Sequence, residues 1–166
     1  MKTTLLTVSA GALALLVGCA SAPVASVTLA PVAPSPFAAR SLSADGSLEV
    51  FSRLSRRSDD GNMGSTDPIW YQHTDYKVYD RDGRLRERVD NTVGHYDAAP
   101  TVVNLPPGEY RVQARSADYD WVNIPVTIKP GEITRVHLDG QWSPPGFAEK
   151  RQIVSLPDGR PVGWSR

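Results

Sequence analysis

Between residues 46 and 139, apolar and polar residues alternate with a period of two. This period places successive side chains on opposite faces of a β-strand. No stretch of the chain shows a convincing helical period. The alternating runs predict strands at residues 48–54, 76–79, 84–89, 102–105, 110–115, 122–128 and 135–138. The pattern therefore predicts an all-β fold, with residues 46–139 forming an antiparallel β-sandwich of about seven strands.

Two short strings refine this prediction. Asp80-Arg81-Asp82-Gly83 joins two alternating runs, and an Asp-Gly pair in such a place is a strong hairpin signal. Pro125 lies inside a later run, where it has no N–H group to donate to a neighbouring strand. It therefore predicts an edge strand or a bulge at that position.

The string Leu105-Pro106-Pro107-Gly108-Glu109-Tyr110 is the most specific one in the domain. Tyr110 begins a strand just after a Pro-Gly turn, so its hydroxyl group is in reach of the preceding backbone. This arrangement is the tyrosine corner of Greek-key sandwiches, with Tyr110, Val112 and Ala114 facing the core. A plain core tyrosine with a solvated hydroxyl group is the alternative.

Three strings together resemble carboxypeptidase-regulatory-like and transthyretin-like modules. They are Leu105–Val112, Ile124–Ile128 and Pro130–Val136, and the similarity covers residues 101–139 well and residues 47–90 loosely. The resemblance implies a β-sandwich that accompanies secreted or surface proteins, usually without catalysis. It supports the fold much more than a function.

The segments that flank the domain are rich in proline. Residues 19–45 are poor in charge and contain Pro23, Pro31, Pro34 and Pro36. They predict a semi-extended tether, and its proline-rich part, residues 20–41, has a reach on the order of 60–70 Å at most. Pairing of Val27–Leu29 with the domain as an extra strand is the alternative.

The tail, residues 140–166, also contains prolines, which interrupt regular pairing. Ile153–Leu156 and Pro161–Trp164 flank a Pro-Asp-Gly turn and predict either a terminal hairpin or a lone turn. The large aromatic residues Trp142, Phe147 and Trp164 favour packing of the tail on the domain.

The first eighteen residues have the three parts of a signal peptide: the cation Lys2, an apolar stretch and the small residue Gly18. The apolar stretch is shorter than a membrane-spanning helix requires. Leu16-Val17-Gly18-Cys19 resembles the lipobox of bacterial lipoproteins. The resemblance implies an acylated Cys19 as the first mature residue, and Ala20 after it implies the outer membrane. An ordinary buried thiol at Cys19 is the alternative.

Composition narrows the classes of partner. Lys and Arg total 18 and Asp and Glu total 18, so the formal net charge is zero. This balance gives no reason to expect nucleic acid as a partner, or a protein that binds polyanions through its overall charge. Cys19 is the only cysteine, so no disulfide stabilises the domain, which depends on its apolar core.

No string matches an established catalytic motif, and nothing indicates a cofactor. His73-Thr74-Asp75 and His95-Tyr96-Asp97 repeat a His-x-Asp pattern, and residues two apart share a strand face. Such pairs are the basis for an alternative prediction, a hydrolase or metal-dependent enzyme. Asp80-Arg81-Asp82-Gly83 matches the start of a calcium loop but lacks the later acidic ligands, so we expect no metal there.

Two sets of side chains are candidates for binding. The first is an arginine row on one strand, Arg84, Arg86 and Arg88, which the pattern of Arg111, Gln113 and Arg115 repeats. Guanidinium groups bind phosphate and carboxylate groups in a bidentate way. The second is a set of loop aromatics suited to stacking on sugars: Trp70, Tyr71, Tyr119 and Trp121. A solvated outer face and ring packing at the ends of the sandwich are the respective alternatives.

We therefore expect a non-catalytic protein of the bacterial envelope, held on a membrane by its lipid. It would act as a binding or structural accessory for an envelope glycan or an envelope protein. The alternatives are the enzyme described above and an inhibitor or assembly factor that presents a loop to a partner protein.

Overall fold

The computed structural model describes residues 29–57, 70–91 and 99–165, and this part of the chain is all-β. A single 3₁₀ turn, Lys150–Gln152, is its helical element. In chain order its strands are β1 (Val32–Ala33), β2 (Gly46–Phe51), β3 (Leu54–Arg57), β4 (Trp70–His73), β5 (Tyr76–Asp80), β6 (Leu85–Val89), β7 (Val102–Leu105), β8 (Gly108–Ala114), β9 (Val122–Ile128), β10 (Ile133–His137), β11 (Ile153–Ser155) and β12 (Pro161–Ser165). The signal peptide, Cys19 and the start of the tether lie outside the described residues.

The strands form three sheets. The largest has the order β11-β12-β1-β9-β8-β5-β6, and a smaller one has the order β10-β2-β7. The hairpin β3–β4 forms the third, and it continues from β2 on one side and into β5 on the other. It therefore connects the two larger sheets.

The sheets are mixed, whereas the sequence predicted antiparallel pairing. β1 runs parallel to β9, and β10 runs parallel to β2. Parallel neighbours need a long connection between them, because a tight hairpin can join only antiparallel strands. Residues 52–132 separate β2 from β10, and local alternation carries no information about such distant pairing.

The two larger sheets share one apolar core. Leu48 and Val136 of the three-stranded sheet, and Val78, Val112 and Ile124 of the seven-stranded sheet, belong to one cluster of fully buried side chains. Residues that alternate with these face away from the core. The alternation thus defines an outer face on each sheet.

The predicted β5–β6 hairpin is confirmed. The strands pair antiparallel, and Gly83 takes the left-handed conformation that the turn needs, with φ of +79°. The Asp80 carboxylate accepts a hydrogen bond from the Arg84 amide at 2.9 Å. This bond, with the Arg86 guanidinium nearby, lowers the pKa of Asp80. The Asp80-Arg81-Asp82-Gly83 string therefore forms the turn of this hairpin.

The edge-strand prediction at Pro125 holds for half of β9. The strand lies between β8 and β1, but β1 has two residues and its register with β9 is Val32 opposite Val126. The half of β9 that ends at Pro125 therefore has β8 as its strand partner in the described sheet. A missing N–H group is tolerated on such an open side.

The tyrosine corner is confirmed. The Tyr110 hydroxyl group donates a 2.9 Å hydrogen bond to the carbonyl oxygen of Pro106. The ring is half-buried and packs against the core, while Val112 and Ala114 are fully buried. The corner therefore closes the turn at the rim of the core rather than inside it.

Both flanking segments enter the large sheet. Val32 and Ala33, which the sequence assigned to a tether, are buried and form β1. Two small apolar side chains fit between β9 and β12, and the following Pro34 limits the strand. In the tail β11 and β12 form the antiparallel terminal hairpin that was one of the two predicted outcomes.

Candidate functional site

The outer face of the seven-stranded sheet collects cations from three strands. Lys77 of β5 lies beside Arg88 of β6 on one side and beside Gln113 of β8 on the other. One pair further along, Tyr79 lies beside Arg111. The core-facing neighbours of these residues are buried, so their own side chains point outward. We call the surface of Lys77, Arg88, Arg111 and Tyr79 the basic face.

The cations of the basic face are available to a ligand. Among the described residues, Lys77, Arg88 and Arg111 form no ion pair within 4 Å. The Arg111 guanidinium lies 4.8 Å from the centre of the Tyr79 ring, whose hydroxyl group donates to the Gln113 side chain at 3.3 Å. Neighbouring positions across the sheet are about 5 Å apart and successive outward positions about 7 Å apart. The face therefore concentrates positive charge over a small area.

Carboxylates border this face: Glu109 is the outward residue next to Arg111 on β8, and Asp75 and Asp90 lie together near Arg88. Asp75 precedes β5 and accepts a hydrogen bond from the Asn91 amide at 3.2 Å. Desolvation raises the pKa of Asp75, and the neighbouring Asp90 acts in the same direction. The Asn91 amide and the positive charge of Arg88 act against this rise. Arg88 therefore lies near a negative charge without forming a direct ion pair with it.

The predicted arginine row on one strand is not formed. A register shift between Val78 and Tyr79 places Leu85, rather than Arg86, opposite Tyr79. Arg86 instead pairs with Asp80, its Nε 3.0 Å from the carboxylate, and Arg84 precedes β6 in the turn. Because an irregularity in pairing reverses which side chains share a face, only Arg88 of the three joins the basic face.

The predicted loop aromatics, of which Trp121 is one, do not form a single site either. The Trp121 ring lies under the Arg115 guanidinium, 5.0 Å from its centre, and Arg115 also pairs with Asp120 at 3.5 Å. These residues continue the outward positions of β8 and β9 at the far end of the basic face. Trp121 is half exposed.

The other loop aromatics do not join Trp121 in one site. Tyr119 packs against the core as a partly buried ring, and Tyr71 of β4 is 55% exposed. Trp70 is in β4 next to Tyr71 in the chain, and its side chain lies outside the described part of the structure. The Tyr119 ring thus packs on the domain, which was the alternative to sugar stacking, whereas the Trp121 and Tyr71 rings are exposed to solvent.

The His-x-Asp pairs do not assemble a reactive centre among the described residues. His73 is buried and its Nδ1 donates to the carbonyl oxygen of Ser52 at 2.6 Å, with the ring edge-on to Phe51. Asp75 bonds to Asn91 instead of to His73. His95 and Asp97 lie outside the described residues, within which no group of three or more His, Cys, Asp or Glu side chains is placed to hold a metal ion.

A concave site that the sequence did not predict follows the outer face of β10. Its floor is the row Ile133, Arg135 and His137, and its volume is about 220 Å³. The exposed rings of Phe37 and Phe147 meet edge to face at one side, with their centres 5.2 Å apart. Trp142, Pro145, Trp164 and Ser35 complete the lining. We call this site the aromatic groove.

Ring stacking fixes the floor of the groove. The His137 imidazole lies between the Phe51 ring at 4.5 Å and the Trp142 indole at 4.7 Å, and both contacts are stacked. Burial lowers the pKa of His137 to about 4, and the positive charge of Arg135 acts in the same direction. His137 is therefore neutral at pH 7.

Arg135 is the charged residue on the floor of the groove, and it already forms an ion pair. Nε of Arg135 lies 2.6 Å from the carboxylate of Glu49, the residue directly opposite on β2. The sequence contains one signal for this site: Phe37, Trp142 and Phe147 are large aromatic residues in proline-rich segments. The sequence predicts packing for the tail aromatics, and no local pattern shows that β1 and β12 bring Phe37 beside them.

Within the described residues, no helix has the length and apolar character needed to cross a bilayer. In comparisons with known proteins, no protein-family model, no curated protein and no solved structure matches the chain significantly.

Proposed function

We propose that this protein is a non-catalytic, lipid-anchored accessory of the bacterial envelope that binds an anionic envelope polymer through the basic face. The observation that carries the proposal is the strand register that brings Lys77, Arg88 and Arg111 together without ion-pair partners among the described residues. Planar guanidinium groups favour the bidentate binding of carboxylates and phosphates. An open sheet face suits a long polymer better than a small molecule, which prefers a concave site.

The aromatic rings on the same side favour a glycan over other polyanions. Tyr79 lies between the cations, and Trp121 is half exposed at the far end of the face. Sugar rings have an apolar face that packs against aromatic rings and a polar rim that forms hydrogen bonds. The whole chain has zero net charge, so attraction for a polyanion depends on this local cluster of cations rather than on overall charge.

The anchor and the fold family are part of the same proposal. In it, Cys19 carries the lipid at the outer membrane, and the sheets form a Greek-key sandwich similar to carboxypeptidase-regulatory-like modules. Because Leu29 already packs against the core, the proposed tether extends from residue 19 to residue 28. In an extended conformation it would reach roughly 30 Å. That length keeps the domain close to the membrane while leaving the basic face free to turn toward a polymer.

The proposal is tested by co-sedimentation of the mature protein with isolated peptidoglycan sacculi. The variant K77Q/R88Q/R111Q removes the cations of the basic face. K129Q/K150Q/R151Q is a matched control that removes the same charge elsewhere, and the ion pair it breaks, Arg151 with Glu149, is exposed. We expect the first variant to lose most of its binding at low salt and the control to bind like the wild type. Binding by the wild type should fall as salt rises, because exposed charges are screened.

Equal binding by both variants and the wild type would contradict the assignment to the basic face. Equal loss in both would show a non-specific effect of net charge and also contradict it. Exposed charges contribute little to folding, so thermal unfolding of the two variants should match that of the wild type. A stoichiometric protein captured in place of the polymer would support the assembly-factor alternative, and a bound divalent metal would support the enzyme.

A further inference from the structure

We infer that the aromatic groove is a second ligand site, and that it holds one ring of an uncharged sugar against the Phe37–Phe147 pair and Trp142. This site is separate from the basic face, because its floor belongs to β10 of the three-stranded sheet. The inference therefore goes beyond the proposed function and does not depend on it.

The shape of the groove suits a single ring. Its volume of about 220 Å³ lies below the roughly 300–1,000 Å³ typical of sites for drug-sized ligands. Outward residues on a strand repeat every 7 Å or so, which gives the floor from Ile133 to His137 a length of about 13 Å. A sugar ring with its substituents fits along this row, whereas a folded partner protein would need a much larger contact area.

The charges of the groove select a neutral ligand. Arg135 is already paired with Glu49, so an anion would have to compete with an existing ion pair at 2.6 Å. A cation would find no unmatched carboxylate among the described lining residues. His137 is neutral at pH 7 and its ring faces are covered by Phe51 and Trp142. Charge complementarity therefore favours an uncharged molecule.

The chemistry of the lining favours a sugar over a purely apolar ligand. Phe37 and Phe147 are 61% and 71% exposed, and they provide apolar surface for the C–H face of a ring. The Ser35 hydroxyl group and the Arg135 guanidinium lie beside them and provide polar atoms for hydroxyl groups. Arg135 uses its Nε for Glu49, and the Ser35 oxygen accepts from the Phe37 amide. An acyl chain or a membrane surface would bury the other guanidinium N–H groups and the Ser35 O–H group without partners, which costs free energy.

The test is a titration of the mature protein with neutral oligosaccharides, namely chitotetraose, maltotetraose and cellotetraose, followed by tryptophan fluorescence and calorimetry. We expect at least one of them to bind with an affinity that does not change between low and high salt. Phe147→Ala should weaken binding roughly tenfold, in proportion to the loss of one ring contact. Leu42→Ala, which removes a fully exposed apolar side chain outside the groove, is the control and should bind like the wild type.

The outcomes separate this inference from the proposed function. Variant K77Q/R88Q/R111Q should bind neutral sugar normally, and Phe147→Ala should bind sacculi normally. Failure of all three sugars to bind, or equal binding by wild type and Phe147→Ala, would overturn the groove assignment and leave the basic face untouched. Binding of phospholipid vesicles or of a proline-rich peptide that depends on Phe147 would also overturn it, in favour of that other ligand.

Discussion

Gly163 of β12 lies directly against Val32 of β1. A Cβ atom on Gly163 would come within 2.5 Å of Cγ1 of Val32 and within 2.9 Å of the carbonyl oxygen of Arg135. The two flanking segments of the chain can therefore share one sheet only because this position has no side chain.

We predict that Gly163→Ala destabilises the domain by about 1–3 kcal/mol, because the clash involves a backbone carbonyl group and a buried β-branched side chain. Urea unfolding of the mature protein measures this change. Gly146→Ala is the matched control, since a Cβ atom there meets nothing within 4 Å. Equal stability of the two variants would show that β1 and β12 do not pack as described.

Tyr110→Phe tests the tyrosine corner. The hydroxyl group that it removes donates to the Pro106 carbonyl oxygen in an exposed setting, where water can replace it. We therefore expect a loss of about 0.5–1.5 kcal/mol, less than a buried hydrogen bond would give. Thermal or urea unfolding measures the loss, and Tyr71→Phe at an exposed position should cause none. A Tyr110→Phe protein as stable as the wild type would mean that the bond contributes nothing to folding.

Acidification should destabilise the fold through His137. Its pKa is lowered to about 4 in the folded protein from about 6.5 when unfolded. Above pH 6.5 both states are neutral and no penalty exists; as pH falls from 6.5 toward 4, the unfolded state takes up the proton first and is favoured. With partial solvent screening we expect a loss of up to about 2 kcal/mol over this range.

His137→Phe retains a flat ring between Phe51 and Trp142 but cannot take up a proton. Urea unfolding at pH 7 and pH 4.5 should therefore show a smaller loss of stability in His137→Phe than in the wild type. The comparison removes the contribution of the carboxylates, which titrate in both proteins. Identical pH dependence of the two proteins would contradict the burial of His137.

The anchor is tested in cells. Cys19→Ser should release the protein from the membrane while its domain stays folded, since the proposal places no other membrane attachment in the chain. Fractionation and labelling with a fatty acid measure this, and Ser21→Ala should remain bound and labelled. Labelling that persists in Cys19→Ser would show that the lipid is attached to another residue and contradict the anchor at Cys19.

Sequence reasoning succeeded where structure is local. Alternation identified the core residues of β5, β8 and β9, and the Asp-Gly and Pro-Gly strings identified the turn at Gly83 and the corner at Tyr110. Each of these depends on residues a few positions apart. The same reasoning misplaced the arginine row, because one extra residue in β6 changes which side chains share a face.

What sequence reasoning missed depends on contacts between distant segments. The parallel pairing of β2 with β10 and the position of β1 between β9 and β12 are set by packing across the whole chain. The aromatic groove has the same origin, because Phe37 and Phe147 are far apart in sequence and adjacent in space. The sequence predicted cations on an outward strand face. Which cations share that face depends on the strand register, which the sequence did not reveal.

The short pairing of β1 has a mechanical consequence. A pull on the amino-terminal side of a chain tethered at Cys19 would reach β1 before any other strand. Its two residues make few contacts with β9 and β12, so β1 would detach under load while β2 stays in the sheet. Residues 32–39 would then extend by about 3.3 Å each, adding roughly 25 Å to the tether. The release would stop there, because Arg40 pairs with Glu132 and the Ser41 amide donates to the Gly131 carbonyl oxygen. In the proposed function, the strand would thus serve as a force-released length reserve between a membrane and a polymer that move relative to each other.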